Sequence, residues 1–350
     1  MIWIEKYKPR SFAEIASHPE VVSMLQNYTL ENMPNLIIHG QHGHNKKTTV
    51  YCLIEHLYGK YPELKQKTIE MDIGTTKLEV DYLESDEVIE ICPSEYGYRD
   101  RQVSQNIIKE MAQTRPILSM FGGKKPLIKL LIINHAEDLS RDAQASLRRT
   151  IEVYSDHFRV IMVCSEISKL IDPIRSRCLL VRMRGFSVDE SKRIGERILE
   201  SENLTVHKDC LDSVISNSSG DIKRMLCVLE MYCYNSEMND KKRLKPEIAS
   251  FRLDWEAKID RIVDMIKKTP KVETMALIRK SFYELLGSCI PPSIILLEMS
   301  RGLCEGSFDF CKSIVAFAIG YEERIRLGSK PLYHLEAFAA SAMCLIAQKK

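Results

Sequence analysis

The sequence lacks a strong net charge, a long apolar run and paired cysteines. Its 350 residues carry a net charge of +2, so no global field points to nucleic acid. No run of 18 apolar residues occurs, and charges interrupt the opening MIWIEKYKPR, so we expect no membrane span, anchor or signal peptide. The eleven cysteines contain no CxxC pair, which favours reduced thiols in an intracellular protein. We expect a soluble globular chain of two or three domains.

Short apolar runs alternate with amphipathic segments between residues 30 and 185. The runs are NLIIH, EVIEICP, LIKLLIIN, FRVIMVCS and CLLVRM, which are too short for helices. Near-continuous apolarity is typical of strands covered on both faces, as in a parallel sheet with helical crossovers. Strand signals stop at Ser187, where Ser187 and Glu190 have the spacing of a capping box. We predict an α/β nucleotide-type domain, then helices, with a charged linker at NDKKRLKPEIAS, residues 239–250.

A glycine-containing loop, GQHGHNKKTT at Gly40–Thr49, follows the first of these runs. Its spacing partly fits a phosphate-binding loop, in which backbone N–H groups and a lysine hold phosphate. Asn45 replaces the second glycine, and Asn tolerates a positive φ. Lys47 replaces the Ser/Thr that ligates magnesium but adds a cation near phosphate. An ordinary basic strand-to-helix turn remains the alternative. The predicted nucleotide contacts in this loop are Gly40, Gly43, Asn45, Lys46, Lys47 and Thr48.

The acid pair that should complete such a site is absent from its usual place. ATPases of this type need Asp-Glu after an apolar strand, to order magnesium and polarise water. Here Asn134 and His135 follow LIKLLII, while Glu137 and Asp138 are predicted on the next turn. The histidines near the loop have no Cys/His partners at zinc spacing, so we predict no metal site formed by protein alone. The residues give poor support for Mg²⁺, and we expect slow or absent hydrolysis.

Several motifs in fixed order resemble one protein family. They are WIEKYKPRSFAEIASHPEVVSML, DAQASLRRTIEVYS, PIRSRC and SCIPPSIILLEM, which run from the first residues into the C-terminal part. They resemble the small subunits of replication factor C, the clamp loader of the AAA+ ATPase class, and in particular the type with degenerate Walker motifs. The resemblance implies an AAA+ α/β P-loop domain with a parallel sheet at 1–183, a small helical lid at 184–246 and an all-α collar at 247–350.

The same resemblance implies roles for particular residues. Arg177, in PIRSRC, is expected to act as an arginine finger that reaches the γ-phosphate held by a neighbouring subunit. A guanidinium suits this role because it is always charged and forks onto phosphate oxygens. The segment from Tyr7 to Pro9 is expected against adenine, and Ser165 and Lys223 occupy the two sensor positions. The implied cofactor is ATP or ADP.

The resemblance also implies the partners of the chain. They are four other replication factor C subunits, the sliding clamp PCNA and primer-template DNA, gripped by its phosphates without base readout, in the nucleus. Arg101, Gln105 and Lys109 are four residues apart and form a candidate phosphate-tracking face, although a solvated charged face fits equally. A clamp-docking role or core packing remains open for the apolar residues Ile117, Leu118, Met120 and Phe121.

Two other functions remain open at this point. A self-sufficient AAA+ ATPase motor would need a working acidic pair. A nucleotide-free scaffold subunit would keep the fold and no binding site.

Overall fold

The computed structural model describes most of the chain as two compact units, Met1–Ser250 and Phe251–Lys350. The described residues are 2–73, 76–85, 87–113, 128–153, 158–204, 206–238, 253–268, 272–304, 308–328 and 330–349. The predicted boundary between residues 246 and 247 lies outside them. The division into three domains therefore stays a prediction.

One mixed, mostly parallel sheet organises the first unit. Its strand order is β2-β3-β4-β5-β6-β1-β7, and the stretch from β4 to β7 is parallel. The five apolar runs predicted as parallel strands all lie in this stretch. β3 runs antiparallel to both β2 and β4, forming a hairpin that the sequence analysis missed. The strands are β1 (Leu36–His39), β2 (Lys65–Ile73), β3 (Thr76–Glu84), β4 (Val88–Ile91), β5 (Lys129–Ile133), β6 (Phe158–Cys164) and β7 (Leu179–Arg182).

Helices cover both faces of this sheet. Successive side chains of a strand point to opposite faces, so the apolar runs place apolar side chains on both. In β5, Leu130 and Ile132 belong to one buried cluster, while Leu131 and Ile133 belong to the other. This two-sided burial accounts for the near-continuous apolar runs of β1, β4, β5 and β6. The expectation is wrong for β7, which lies at the sheet edge with Leu180 and Arg182 exposed. The helices of the first unit are α1 (Trp3–Lys6), α2 (Pro19–Gln26), α3 (Lys46–Tyr58), α4 (Asp100–Gln113), α5 (Arg141–Val153), α6 (Asp172–Arg175), α7 (Val188–Ser201), α8 (Lys208–Ser218) and α9 (Ile222–Met238).

The three helices α7 to α9 follow the sheet and pack on one another. The start of α7 confirms the predicted capping box: Glu190 N–H donates to Ser187 Oγ at 3.2 Å, and Ser187 N–H donates to the Glu190 carboxylate at 2.9 Å. These bonds satisfy two backbone donors that the first helical turn leaves without intrahelical partners. A defined helix start fixes the direction in which this helical region leaves the sheet.

All the described secondary-structure elements of the second unit are helices. Its core includes Ile262, Phe282, Met299 and Phe338, which are almost fully buried. Among the described residues of the whole chain, no helix combines the length and apolarity needed to cross a bilayer. The helices are α10 (Asp254–Lys268), α11 (Val272–Gly287), α12 (Pro292–Leu303), α13 (Phe308–Leu327) and α14 (Pro331–Lys349).

Candidate functional site

The glycine-containing loop joins β1 to α3 and turns through three unusual backbone positions. Gly40 has φ +154°, and a Cβ there would overlap the Met183 carbonyl oxygen. Gly43 has φ +74°, and Asn45, just before α3, has φ 60°. The left-handed conformation predicted for Asn45 is confirmed. The loop therefore delivers the chain into the N-terminus of α3, and the first N–H groups of a helix lack intrahelical partners, which suits an anion.

Lys46 folds its side chain back over this loop. Its ammonium donates to the carbonyl oxygen of Gly40, to that of Gln41 at 3.0 Å and to Ser165 Oγ at 3.4 Å. Burial lowers the pKa of Lys46, and the nearby Glu137 charge opposes this effect. The structure thus brings together two predicted contacts, Lys46 and Ser165, from β1–α3 and the end of β6. An ammonium that donates to neutral oxygens can exchange them for phosphate oxygens.

Lys47 lies beside a buried carboxylate that the sequence analysis did not identify. Its ammonium pairs with Glu90 of β4, whose side chain is 3% exposed. Glu90 also accepts from the Tyr51 hydroxyl at 2.6 Å and from Asn134 Nδ2 at 2.6 Å. Burial, followed by the Glu90 charge, raises the pKa of the Tyr51 hydroxyl, so it remains a donor at neutral pH. Both oxygens of this carboxylate are therefore occupied by donors.

The turn after β5 holds the other acids near the loop. His135 has φ 49°, and residues Ala136–Asp138 form a 3₁₀ turn, so Glu137 and Asp138 lie past the strand end as predicted. Glu137 is buried; its Oε1 accepts from the Ser165 N–H at 3.0 Å, and its Oε2 has no hydrogen-bond partner within the described part of the chain. One ligand atom from each of His135, Glu137 and Asp138 lies within 4.8 Å of the other two. These three residues are the candidate metal ligands among the described residues.

A cavity of about 940 Å³ opens above the loop. Its walls come from the N-terminal segment, the loop, the ends of β4 to β6 and the helices α7 and α9. Gly40 does not line it; that residue lies close to the Met183 carbonyl oxygen, where a Cβ would have no room. The predicted site residues that line the cavity are Tyr7, Pro9, Gly43, Asn45, Lys46, Lys47, Thr48, Asn134, His135, Ser165 and Lys223.

Lysine side chains crowd one end of this cavity. Lys8 lies over the Tyr51 ring, with its ammonium 4.5 Å from the ring centroid. Burial lowers the pKa of Lys8, and the positive charges of Lys47 and Lys223 lower it further. Mutual repulsion among partly desolvated ammonium groups is relieved by a polyanion. The cavity is therefore electrostatically suited to a phosphorylated ligand.

Hydrogen bonds to two acids of the helical region hold the N-terminal segment at the cavity. Trp3 N–H donates to the buried Glu230 carboxylate at 3.2 Å. The Tyr7 hydroxyl and the Lys6 ammonium donate to Glu202 at 2.8 and 2.6 Å. These contacts tie α1 to α9 and to the end of α7. These contacts therefore hold Tyr7 and Pro9 at one wall of the cavity. The helices that complete the cavity, α7 and α9, follow far later in the sequence.

Asp221 joins the loop to the start of α9. Its Oδ1 accepts from the N–H groups of Lys223 at 2.9 Å and Arg224 at 3.1 Å, so it caps the helix. A Cβ on Gly43 would overlap this carboxylate, so the close approach requires glycine. Sequence reasoning missed Asp221, although Gly-Asp before an apolar helix is a helix-start signal. The contact sets the position of Lys223 relative to the loop.

Comparisons with known proteins agree over almost the whole chain. A sequence profile of the replication factor C subunit 3 C-terminal domain matches residues 255–350, and one of the DNA polymerase III delta subunit matches residues 17–187. Replication factor C subunit 5 of Oryza sativa subsp. japonica is 34% identical, covering 99% of this chain and 97% of that protein. Subunit 5 of Saccharomyces cerevisiae is 33% identical, covering 99% of each. The chain belongs to the replication factor C subunit 3/5 family.

Solved structures support the fold at greater distance. RuvB of Thermotoga maritima, described as a Holliday junction branch migration motor, superposes with a TM-score of 0.52. The superposition covers 75% of this chain and 80% of that one, at 13% sequence identity. At that identity the likeness speaks for the AAA+ fold alone. The predicted AAA+ architecture with a helical C-terminal region is confirmed.

Arg177 of this replication factor C subunit lies outside the cavity. It follows α6 and precedes β7, with its side chain about one-third exposed. Its Nε pairs with Glu152 of α5, and its Nη1 donates to the Pro173 carbonyl oxygen at 2.8 Å. The guanidinium is thus held at the surface by its own chain. It does not contribute to the phosphate loop of the same chain.

The residues predicted for DNA and clamp contacts are only partly described. Arg101 is exposed and Gln105 half-buried on α4, which also contains the backbone of Lys109. Neither Arg101 nor Gln105 lines the cavity. The residues predicted for the clamp, Ile117, Leu118, Met120 and Phe121, lie outside the described residues.

Proposed function

We propose that this replication factor C clamp-loader subunit holds ATP or ADP in the lysine-rich cavity without hydrolysing it efficiently. In this proposal it supplies Arg177 to the nucleotide of a neighbouring subunit. The observation that carries the proposal is the separation of Arg177 from the phosphate loop. The loop and its lysines face one cavity, whereas Arg177 lies outside it.

Nucleotide binding is supported by the loop and the charges around it. Lys46 lies over the loop, Lys8 and Lys223 face the same space, and Tyr7 and Pro9 supply a wall for a base. A cavity of about 940 Å³ falls within the range of small-molecule and cofactor sites. Together these features fit a triphosphate or diphosphate end against the loop and a flat apolar group near the N-terminal segment.

Weak hydrolysis is supported by the residues at the end of β5. Asn134 lines the cavity but carries no charge, and its amide donates to Glu90. His135 stands in the position where a carboxylate would polarise the attacking water. Glu137, the buried acid nearby, uses one oxygen to accept from Ser165 N–H. These features favour binding of a nucleotide over its hydrolysis.

The trans role of Arg177 is supported by its chemistry and by its surface position. An arginine supplied by a neighbour stabilises the charge that develops on the transferred phosphoryl group, and such a finger contributes about 10³-fold or more in rate. Glu152 and the Pro173 carbonyl oxygen orient the guanidinium while leaving part of it exposed. It is available to an adjoining subunit in a way that residues inside the cavity are not.

The wider assembly follows from the family. We propose that the chain works in the nucleus with four other replication factor C subunits, the sliding clamp and primer-template DNA. Arg101, Gln105 and Lys109 are proposed to contact DNA phosphates, and the segment with Ile117 and Phe121 to face the clamp.

Replacing Arg177 in the reconstituted clamp loader tests this function. Arg177→Ala should lower ATP turnover at the neighbouring site by about 10³-fold, seen as a fall in DNA- and clamp-stimulated ATPase. Arg193→Ala, which removes an exposed arginine from α7, is the matched control and should not change the rate. A normal stimulated rate in the Arg177 variant, with the complex intact by size-exclusion chromatography, would remove the trans role.

A further inference from the structure

We propose that the Lys47 ammonium, anchored by Glu90, takes the place of a magnesium ion, so that this chain binds ADP or ATP independently of divalent metal. This inference rests on the proposed nucleotide site and identifies what neutralises the phosphates there. It assigns a function to an ion pair between a half-exposed lysine and a buried glutamate, a pair that has no part in transferring a phosphoryl group.

The position of Lys47 is the first support. It is the second residue of α3, directly after the lysine that covers the loop, where an ATPase of this type carries the hydroxyl that ligates magnesium. Replacing that hydroxyl with the Lys47 ammonium removes a metal ligand and adds a positive charge at nearly the same point. The side chain is 46% exposed, so the ammonium reaches from a buried acid to the open cavity.

The buried network around Glu90 is the second support. The Lys47 ammonium, the Tyr51 hydroxyl and the Asn134 amide all donate to this one carboxylate. A magnesium ion needs oxygen ligands at short distances in octahedral geometry. Here the acid that is nearest to Lys47 is already occupied by donors, and Asn134 presents its donor group to that acid. The residues at this point do not fit the metal.

The charge balance is the third support. An ammonium has three donors, and Glu90 takes one of them, which leaves the group able to bind phosphate oxygens as well. Lys8, Lys46 and Lys223 add further positive charge to the same cavity. A divalent cation beside Lys47 would be repelled by these groups, and Glu137, which lines the same cavity, is an acid that would offset part of that repulsion. The lysines therefore supply positive charge for the phosphates at the point where Lys47 lies.

Equilibrium binding of radiolabelled ADP to the full chain, in Mg²⁺ and in EDTA, measures the effect directly. The wild-type affinities in the two buffers should agree within about twofold. Lys47→Thr should lower the affinity in EDTA by about tenfold, the loss expected for one charge-assisted hydrogen bond. Lys47→Thr combined with Asn134→Asp rebuilds a hydroxyl and an acid, and should bind more tightly in Mg²⁺ than in EDTA. Lys60→Thr, an exposed lysine after α3, is the control.

The outcomes separate this inference from the proposed function. Wild-type binding that is lost in EDTA overturns the inference and leaves nucleotide binding intact. If Glu137→Gln then abolishes the metal effect, the ion belongs to the His135, Glu137 and Asp138 cluster instead. No ADP binding at millimolar concentration in either buffer overturns the nucleotide site itself. The wild-type comparison needs no variant, so it decides the matter even if Lys47→Thr does not fold.

Discussion

Replacing Glu90 by glutamine tests whether the buried network stabilises the first unit. Glutamine keeps the size of the side chain but puts an amide donor where one carboxylate oxygen accepted. Tyr51 is 7% exposed and cannot turn to water, so at least one buried donor loses its partner. An unsatisfied buried donor costs about 1–3 kcal/mol.

The ion pair itself contributes little to this total. Lys47 is 46% exposed, so water can solvate its ammonium when Glu90 is replaced by a neutral residue. Losing the ion pair should therefore lower the free energy of unfolding by about as much as losing a surface pair, about 0–1 kcal/mol. We therefore expect Glu90→Gln to lower the free energy of unfolding by about 2 kcal/mol. For a unit of this size that is a fall of about 4–8 °C in the thermal midpoint.

Circular dichroism of the nucleotide-free chain on heating and in urea gives the measurement. Glu79→Gln, an exposed acid on the neighbouring strand β3, is the control and should change stability by less than about 0.5 kcal/mol. Tyr51→Phe should cost about 1 kcal/mol, and the double variant should cost less than the sum because both changes remove the same bond. A Glu90→Gln protein as stable as the wild type would show that the network does not stabilise the fold.

Three further predictions concern the finger, the loop and pH. Glu152→Gln should lower the rate at the neighbouring site about tenfold with KM unchanged, because Arg177 loses its orientation; an unchanged rate speaks against positioning. Gly43→Ala should destabilise the chain by about 2 kcal/mol, through strain and displacement of the carboxylate that caps α9. Gly59→Ala, also at positive φ but with open space around it, should cost only about 1 kcal/mol in the same melts, and equal effects would contradict the overlap. Burial lowers the pKa of Lys46 from its usual 10.5, so the ammonium loses its charge at a lower pH than a free lysine does. Nucleotide affinity, measured by equilibrium binding, should therefore fall as the pH rises through that range. A constant affinity would contradict this.

The sheet was predictable where burial dominates the sequence. Strands covered on both faces read as continuous apolar runs, and this signal located β1, β4, β5 and β6. The run of β7 was also found, although β7 lies at the sheet edge with Leu180 and Arg182 exposed. The hairpin of β2 and β3 was missed because it lies at the edge and carries many charges. Its signal was alternation: Leu78, Val80 and Tyr82 are separated by Glu79 and Asp81. A period-two pattern with charged residues indicates a strand as clearly as an apolar run does.

The site was predictable only where one local segment determines it. Asn45 follows from the tolerance of asparagine for positive φ, and this needs no partner. Glu90 could be noticed as a lone acid within VIEI, but its role depends on Lys47 and Asn134, more than forty residues away on either side. Only the strand order brings the three together. The pairing of Arg177 with Glu152 depends in the same way on packing between α5 and the turn after α6.

The fate of nucleotide bound to the purified chain tests the central claim most directly. ATP labelled at the α-phosphate is bound to the full chain in Mg²⁺, and the extracted nucleotide is separated into ATP and ADP over time. We predict saturable binding that Lys46→Ala weakens, with the label remaining as ATP. Magnesium-dependent conversion to ADP at a steady multiple-turnover rate would contradict the account.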